Sequence, residues 1–348
     1  MGRYSGTSGV FNEGAFGGSI DISEEGIQKE FADVHGLEFP YEPTMEGAEA
    51  INAYMEEEYL DICQEQGFLE LSYFERNRVE MPVNEAFGDG GFIDKAVQFF
   101  KKIGQKIKSL FDKFMVMLNR FIMSDKDFIK KYESKIKSAS TSGFEFKGYN
   151  FTLEGSNGVD AAAGRIGGLS DSINSKSEDK SSENITSEIR AKALGQSGEL
   201  SASEFSKELF KIFRGGEDSK VDVKVSTSDI CEQVKSAKKD KEDALKAYKA
   251  IKTKLEATIR VIEGEKSKLQ KQTGSEANGE HQRKDTRWID AYKSQISVLQ
   301  TYNGGYLSAI KARNRQNKSI AVKLITGSGK KDSKNESFEF DDSNFSFI

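Results

Sequence analysis

By type and spacing, the residues best suited to chemistry in this chain are substrates rather than catalysts. Glu85 sits in VNEAFGDGG (83–91), followed by the small Ala86 and then by glycines. Related stretches are FNEGAFGG (11–18), which holds Glu13, and NESFEF from Asn335, which holds Glu336. The copies are irregularly spaced and the sequence between them is unrelated, so they do not mark a repeat architecture. A glutamate in a glycine-flanked, extended stretch is what an endoprotease can bind, whereas a helix has its backbone already hydrogen-bonded. The expected chemistry is hydrolysis of this chain after Glu85, with Glu13 and Glu336 as further candidates.

The charge distribution gives such a cut a consequence. The net charge of −5 over 348 residues divides unevenly. Residues 1–91 carry 4 Lys and Arg against 20 Asp and Glu, and the rest carry 47 against 36. Asymmetry of this size suggests an acidic segment that shields a basic body or is removed from it; an acidic tail kept for solubility is the plain alternative. Cuts after Glu85 and Glu336 would leave residues 86–336 with a net charge of +13.

The basic residues fall in two clusters. Lys101, Lys102, Lys106 and Lys108 lie in one; Lys311, Arg313, Arg315 and Lys318 lie in KARNRQNKSIAVK (311–323). Both could neutralise phosphates, which needs only charge and reach. No aromatic–basic recognition motif accompanies them, so binding of nucleic acid would be independent of sequence. A solvated helical face accounts for the same pattern.

Enzymatic constellations are scarce. His35 and His281 have no motif around them, and no GxSxG, HExxH or Walker A pattern occurs. GRIGG (164–168) lacks the spacing of a phosphate loop. Cys63 and Cys231 are far apart, without CxxC, and read as reduced thiols. Neither a catalytic role, a metal nor a cofactor is expected. The first residues contain no apolar run of a signal peptide, and no stretch is apolar enough for a membrane span.

The elements that would position these residues are mostly helical. Residues 1–91 read as an acidic, propeptide-like segment, partly helical, with a helix over 45–67 whose Ile51, Tyr54, Met55, Tyr59 and Ile62 share a face. Residues 92–153 form a basic amphipathic region. In 92–123 apolar residues from Ala96 to Ile122 recur at three- and four-residue steps, with lysines opposite. Ser124 is expected to cap a second, shorter helix, and GFEFKGYNFTL (143–153) to make a small β-hairpin or an extended pair around Lys147–Gly148. Residues 154–228 read as a Gly/Ser-rich linker with short helices. Residues 229–325 read as a long antiparallel helical hairpin, with one apolar stripe from Ile230 to Leu269 and another from Trp288 to Ile310. Residues 326–348 read as a flexible tail.

VNEAFGDGGFIDKAVQFFKKIGQKIKSLF and the following SDKDFIKKYESKIK, with the acidic start, resemble internal head (prohead core) and other virion structural proteins of large tailed bacteriophages. The resemblance covers about residues 80–150. It implies a non-enzymatic, multi-copy protein of the capsid interior, made in the host cytoplasm, with other virion proteins, a maturation protease and packaged DNA as partners. In such phages the head-maturation protease cuts after glutamate and favours an aliphatic residue two positions earlier. Val83 meets this before Glu85, Phe11 approximates it before Glu13, and Lys334 departs from it before Glu336. Two alternatives stay open: a membrane-active virion protein acting through helix 92–123, and an uncleaved tail, neck or baseplate component.

Overall fold

The computed structural model describes residues 45–65, 80–82, 92–167, 182–273, 283–285 and 287–327. These form a mostly α-helical protein with two short antiparallel strand pairs. In chain order the elements are α1 (Met45–Glu65), β1 (Glu80–Pro82), α2 (Phe92–Ser138), β2 (Lys147–Gly148), α3 (Val159–Gly167) and α4 (Ser182–Ala193). They continue with α5 (Ala202–Phe213), β3 (Val221–Asp222), α6 (Thr227–Val234), α7 (Ala237–Thr273), β4 (Arg283–Asp285) and α8 (Arg287–Thr326).

The apolar stripe of 92–123 is buried as its spacing requires, from Ala96 through Phe99, Phe100, Ile103, Phe114 and Leu118 to Phe121. That face is filled by other helices of the same chain. The helix does not stop at Ser124, however: α2 runs unbroken for 47 residues, about 70 Å at ~1.5 Å per residue. No proline or glycine interrupts it there, and Phe128, Tyr132 and Ile136 extend the buried stripe past the expected cap. Ser124 is buried inside the helix, where its hydroxyl oxygen accepts a hydrogen bond from the Lys318 ammonium at 2.8 Å.

Antiparallel to α2 lies α7. Lys241 bonds Asn119 at 2.9 Å, Tyr248 stacks on Phe111 with ring centroids 4.3 Å apart, and Lys101 pairs with Glu263 at 3.3 Å. Between these contacts a Cβ placed on Gly104 would come within 2.6 Å of Leu255 Cδ2. Glycine therefore leaves room beside α2 for the Leu255 side chain, against the ~1 kcal/mol by which it disfavours a helix interior relative to alanine.

The hairpin expected over 229–325 is present as antiparallel α7 and α8, with two departures. The helical stripe is broken after Val234, where α6 ends, and Leu245 is 39% exposed rather than buried. The side chains of Leu269 and Trp288 lie outside the described set. More consequentially, α8 is not one arm of a free-standing hairpin. It is the central helix, packed by α1, α2, α3, α4, α5, α6 and α7. Consecutive glycines serve two of those neighbours: a Cβ on Gly304 would meet Ala48 Cβ of α1 at 2.6 Å, and one on Gly305 would meet Leu209 Cδ2 of α5 at 2.8 Å.

Of the hairpin or extended pair expected around Lys147–Gly148, the local hairpin does not form and an extended pair with a distant strand does. Lys147 and Gly148 instead pair with Asp222 and Val221, far along the chain. Gln316 of α8 holds this segment down: its Oε1 accepts from the Tyr149 amide at 2.9 Å and its Nε2 donates to the Tyr149 carbonyl at 2.9 Å. A side-chain amide thus takes both backbone groups that a hairpin partner would have used. In the segment read as a linker, α5 opens on a capping box, with Ser201 and Glu204 satisfying each other's backbone amides.

The segment read as propeptide-like also enters the core. Met45, Ala48, Ile51, Met55 and Tyr59 of α1 are all buried, against α8 and α2. By packing, residues 45–65 belong with the body. The sequence also suggests a helix from Ser23 to Leu37, with Ser23 as its N-cap, and it lies outside the described residues.

Candidate nucleic-acid interface and its acidic cover

Helix α1 carries seven acidic residues and no Lys or Arg, whereas α2 carries twelve basic against five acidic and α8 seven against one. The acidic helix lies antiparallel along the N-terminal half of α8. Its contacts run from the Met45 amide donating to Ser308 Oγ at 3.1 Å, through Asn52 donating to Thr301 Oγ1 at 2.8 Å, to Glu56 pairing with Lys293 at 2.6 Å. Toward α2, Glu58 receives the Lys102 ammonium at 3.0 Å and the Tyr54 ring lies under Lys106 Nζ at 3.7 Å. Hydrogen bonds from Tyr54 and Lys102 hold the Glu58 carboxyl below the usual range. Tyr54 is pushed up to about 12, chiefly by desolvation and then by its hydrogen bond to Glu58.

Of the four expected phosphate-contacting lysines on α2, two are therefore engaged by α1: Lys102 by Glu58 and Lys106 by Tyr54. The others have partners elsewhere, Lys101 with Glu263 and Lys108 with Asp112 at 2.6 Å. Lys101, Lys102 and Lys108 keep about half or more of their side-chain surface exposed (48%, 57% and 62%), so these pairs are readily exchanged for phosphate oxygens.

The second expected cluster is not a surface. Lys311 and Lys318 are buried, Arg315 is half-buried, and Arg313 is bound to Asp240, itself 1% exposed. Lys318 meets Asp125 at 3.1 Å as well as Ser124. As phosphate contacts Lys311, Arg313 and Lys318 are corrected: α8 is surrounded, Lys311 is buried, and Arg313 and Lys318 turn to the buried Asp240 and Asp125. Burial pushes the Asp125 carboxyl up to about 6 despite Lys318, and raises Asp240 despite Arg313 and Asn314. Neither aspartate was singled out by sequence reasoning. Asp240 sits in the charged run KKDKED, which looks solvated, and Asp125 follows a serine read as a helix cap.

Exposed lysines also occur at Lys126 and Lys130, further along α2, and at Lys238 and Lys249 of α7. Glu85, Ala86, Glu13 and Glu336 lie outside the described residues, as do His35 and His281; β1 ends at Pro82. The GRIGG stretch is largely the end of α3, where Arg165 donates to the Ala193 carbonyl at 2.9 Å and caps a neighbouring helix rather than a phosphate. Among the described residues no group of three His, Cys, Asp or Glu is placed to hold a metal ion, and no helix is long and apolar enough to cross a membrane. Comparison with family models, curated proteins and solved structures yields no match.

Proposed function

We propose that this is a non-enzymatic virion structural protein of a large tailed bacteriophage, an internal head or prohead core protein. In this reading it is assembled with an acidic N-terminal segment, cut after Glu85 by a maturation protease, and associated with packaged DNA or the inner capsid. The observation that carries the reading is the acidic helix α1 seated across two basic helices, with Glu58 on Lys102 and Glu56 on Lys293. An acidic element on a basic body weakens capture of nucleic acid by the lysines it covers. DNA contact then falls to exposed lysines, Lys101 and Lys108 with Lys126, Lys130, Lys238 and Lys249, and to Lys102 and Lys106 where phosphate displaces Glu58 and Tyr54 of α1, and not to the buried cluster of α8.

The test is binding of duplex DNA by the full chain across a salt series. Affinity without sequence preference is expected, falling with salt by about 0.9 logarithmic units per neutralised phosphate. Joint replacement of Lys126, Lys130, Lys238 and Lys249 with Gln should flatten the slope. Binding that ignores salt, or no binding even at low salt, rejects the DNA contact.

A further inference from the structure

A cut after Glu85 separates α1 from the body in sequence, but none of the contacts holding α1 depends on that peptide bond. We infer that α1 stays seated after the cut: the groove between α2 and α8 is a binding surface for an acidic amphipathic helix, and its partner is the chain's own severed N-terminal segment. The processed protein is then a two-piece assembly.

The apolar contacts favour this. Met45, Ala48, Ile51, Met55 and Tyr59 are each no more than 7% exposed, and Ala48 fits the space left by Gly304. The Tyr59 ring lies 5.8 Å from that of Phe99 on the groove floor. Departure of α1 would open these buried faces to water on both pieces. Polar contacts fix the register, with Asn52 on Thr301 and the Met45 amide on Ser308 Oγ. Charge complements the fit through Glu56 with Lys293, whose ammonium also lies 4.7 Å from the Tyr59 ring centre. The severed piece has a second hold, since β1 pairs antiparallel with β4 over Glu80–Pro82 and Arg283–Asp285.

Retention changes what maturation does. The seven carboxylates of α1 remain on the body, so the cut frees the chain without stripping Lys102 and Lys293 of their partners.

The inference rests on the proposed processing for its biological setting, and its test does not. A recognition sequence for a site-specific protease is inserted between Glu85 and Ala86 of the full chain, and the purified protein is nicked. Size-exclusion chromatography at physiological salt and at ~1 M salt, where the Debye length falls to about 3 Å, separates packing from charge. Co-elution of both pieces at both salts is expected. Separation at either salt overturns the inference; separation only at ~1 M would assign the hold to surface charge instead of the apolar face. In the same nicked background Met55→Asp should release the peptide, and its retention would contradict the packing basis. A release of the nicked peptide rejects the two-piece assembly and leaves natural processing standing. An uncut chain in particles rejects the processing and leaves the nicked complex standing.

Discussion

Asp125 and Lys318 meet 3.1 Å apart inside the protein, although 193 positions separate them in the chain. Nothing in either local sequence announces the pair. The run from Lys311 to Lys323 reads the same whether its helix is solvated or surrounded, so the burial of its cations was illegible. What sequence does supply is the opposite kind of residue: the spacing puts Phe99, Phe100 and Phe114 on one apolar helix face, open to core, partner or membrane, and in the fold that face is buried. The buried acid has a measurable consequence. Burial raises the Asp125 pKa to about 6, so the folded protein holds this proton more tightly than the unfolded chain does. Its contribution to stability is therefore largest below the ordinary carboxylate range and is lost as pH rises toward 6. Asp125→Asn should flatten the dependence of unfolding free energy on pH between about 4 and 6, by at most about 3 kcal/mol. Denaturant titrations of both proteins across that range check this. A wild type that gains stability relative to the variant over the window would mean that Lys318 outweighs desolvation.

Helices were legible wherever an amphipathic period persisted, and their boundaries and partners were not. The period identifies α1, the first part of α2 and the two arms of the C-terminal hairpin. It could not show that α2 continues through Ser124, because a serine that caps a helix and one buried beneath a lysine look alike. Nor could it show that Lys147–Gly148 pairs with a distant strand, since Gln316, which takes the Tyr149 amide and carbonyl, lies far along the chain. A glycine inside the helical period, Gly104, is visible in the sequence, whereas its partner, Leu255 of α7, is not. Leu255→Asp tests that contact. It should destabilise the full chain by at least the ~2–5 kcal/mol of a leucine-to-alanine cavity, because an unpaired charge is buried as well. Circular dichroism during a denaturant melt would show the loss, whereas an unchanged midpoint would place Leu255 outside the α2–α7 interface.

Over the whole molecule, the acidic and basic parts distinguished by composition lie against each other. The sequence contrast between residues 1–91 and the remainder was plain, yet it reads as a tail attached to a body. The fold instead draws α1 into the body, with Met45, Ala48 and Met55 buried and Glu56 and Glu58 reaching Lys293 and Lys102. Composition misses this because the apolar face of α1 is only a few residues wide among seven carboxylates. In the proposed function this protein is assembled in one form and trimmed into another by a cut after Glu85. N-terminal sequencing of this protein from purified mature particles addresses it most directly. A body chain beginning at Ala86 is the predicted result; a chain beginning at Met1 or Gly2, with its acidic segment still covalently attached, would contradict the account.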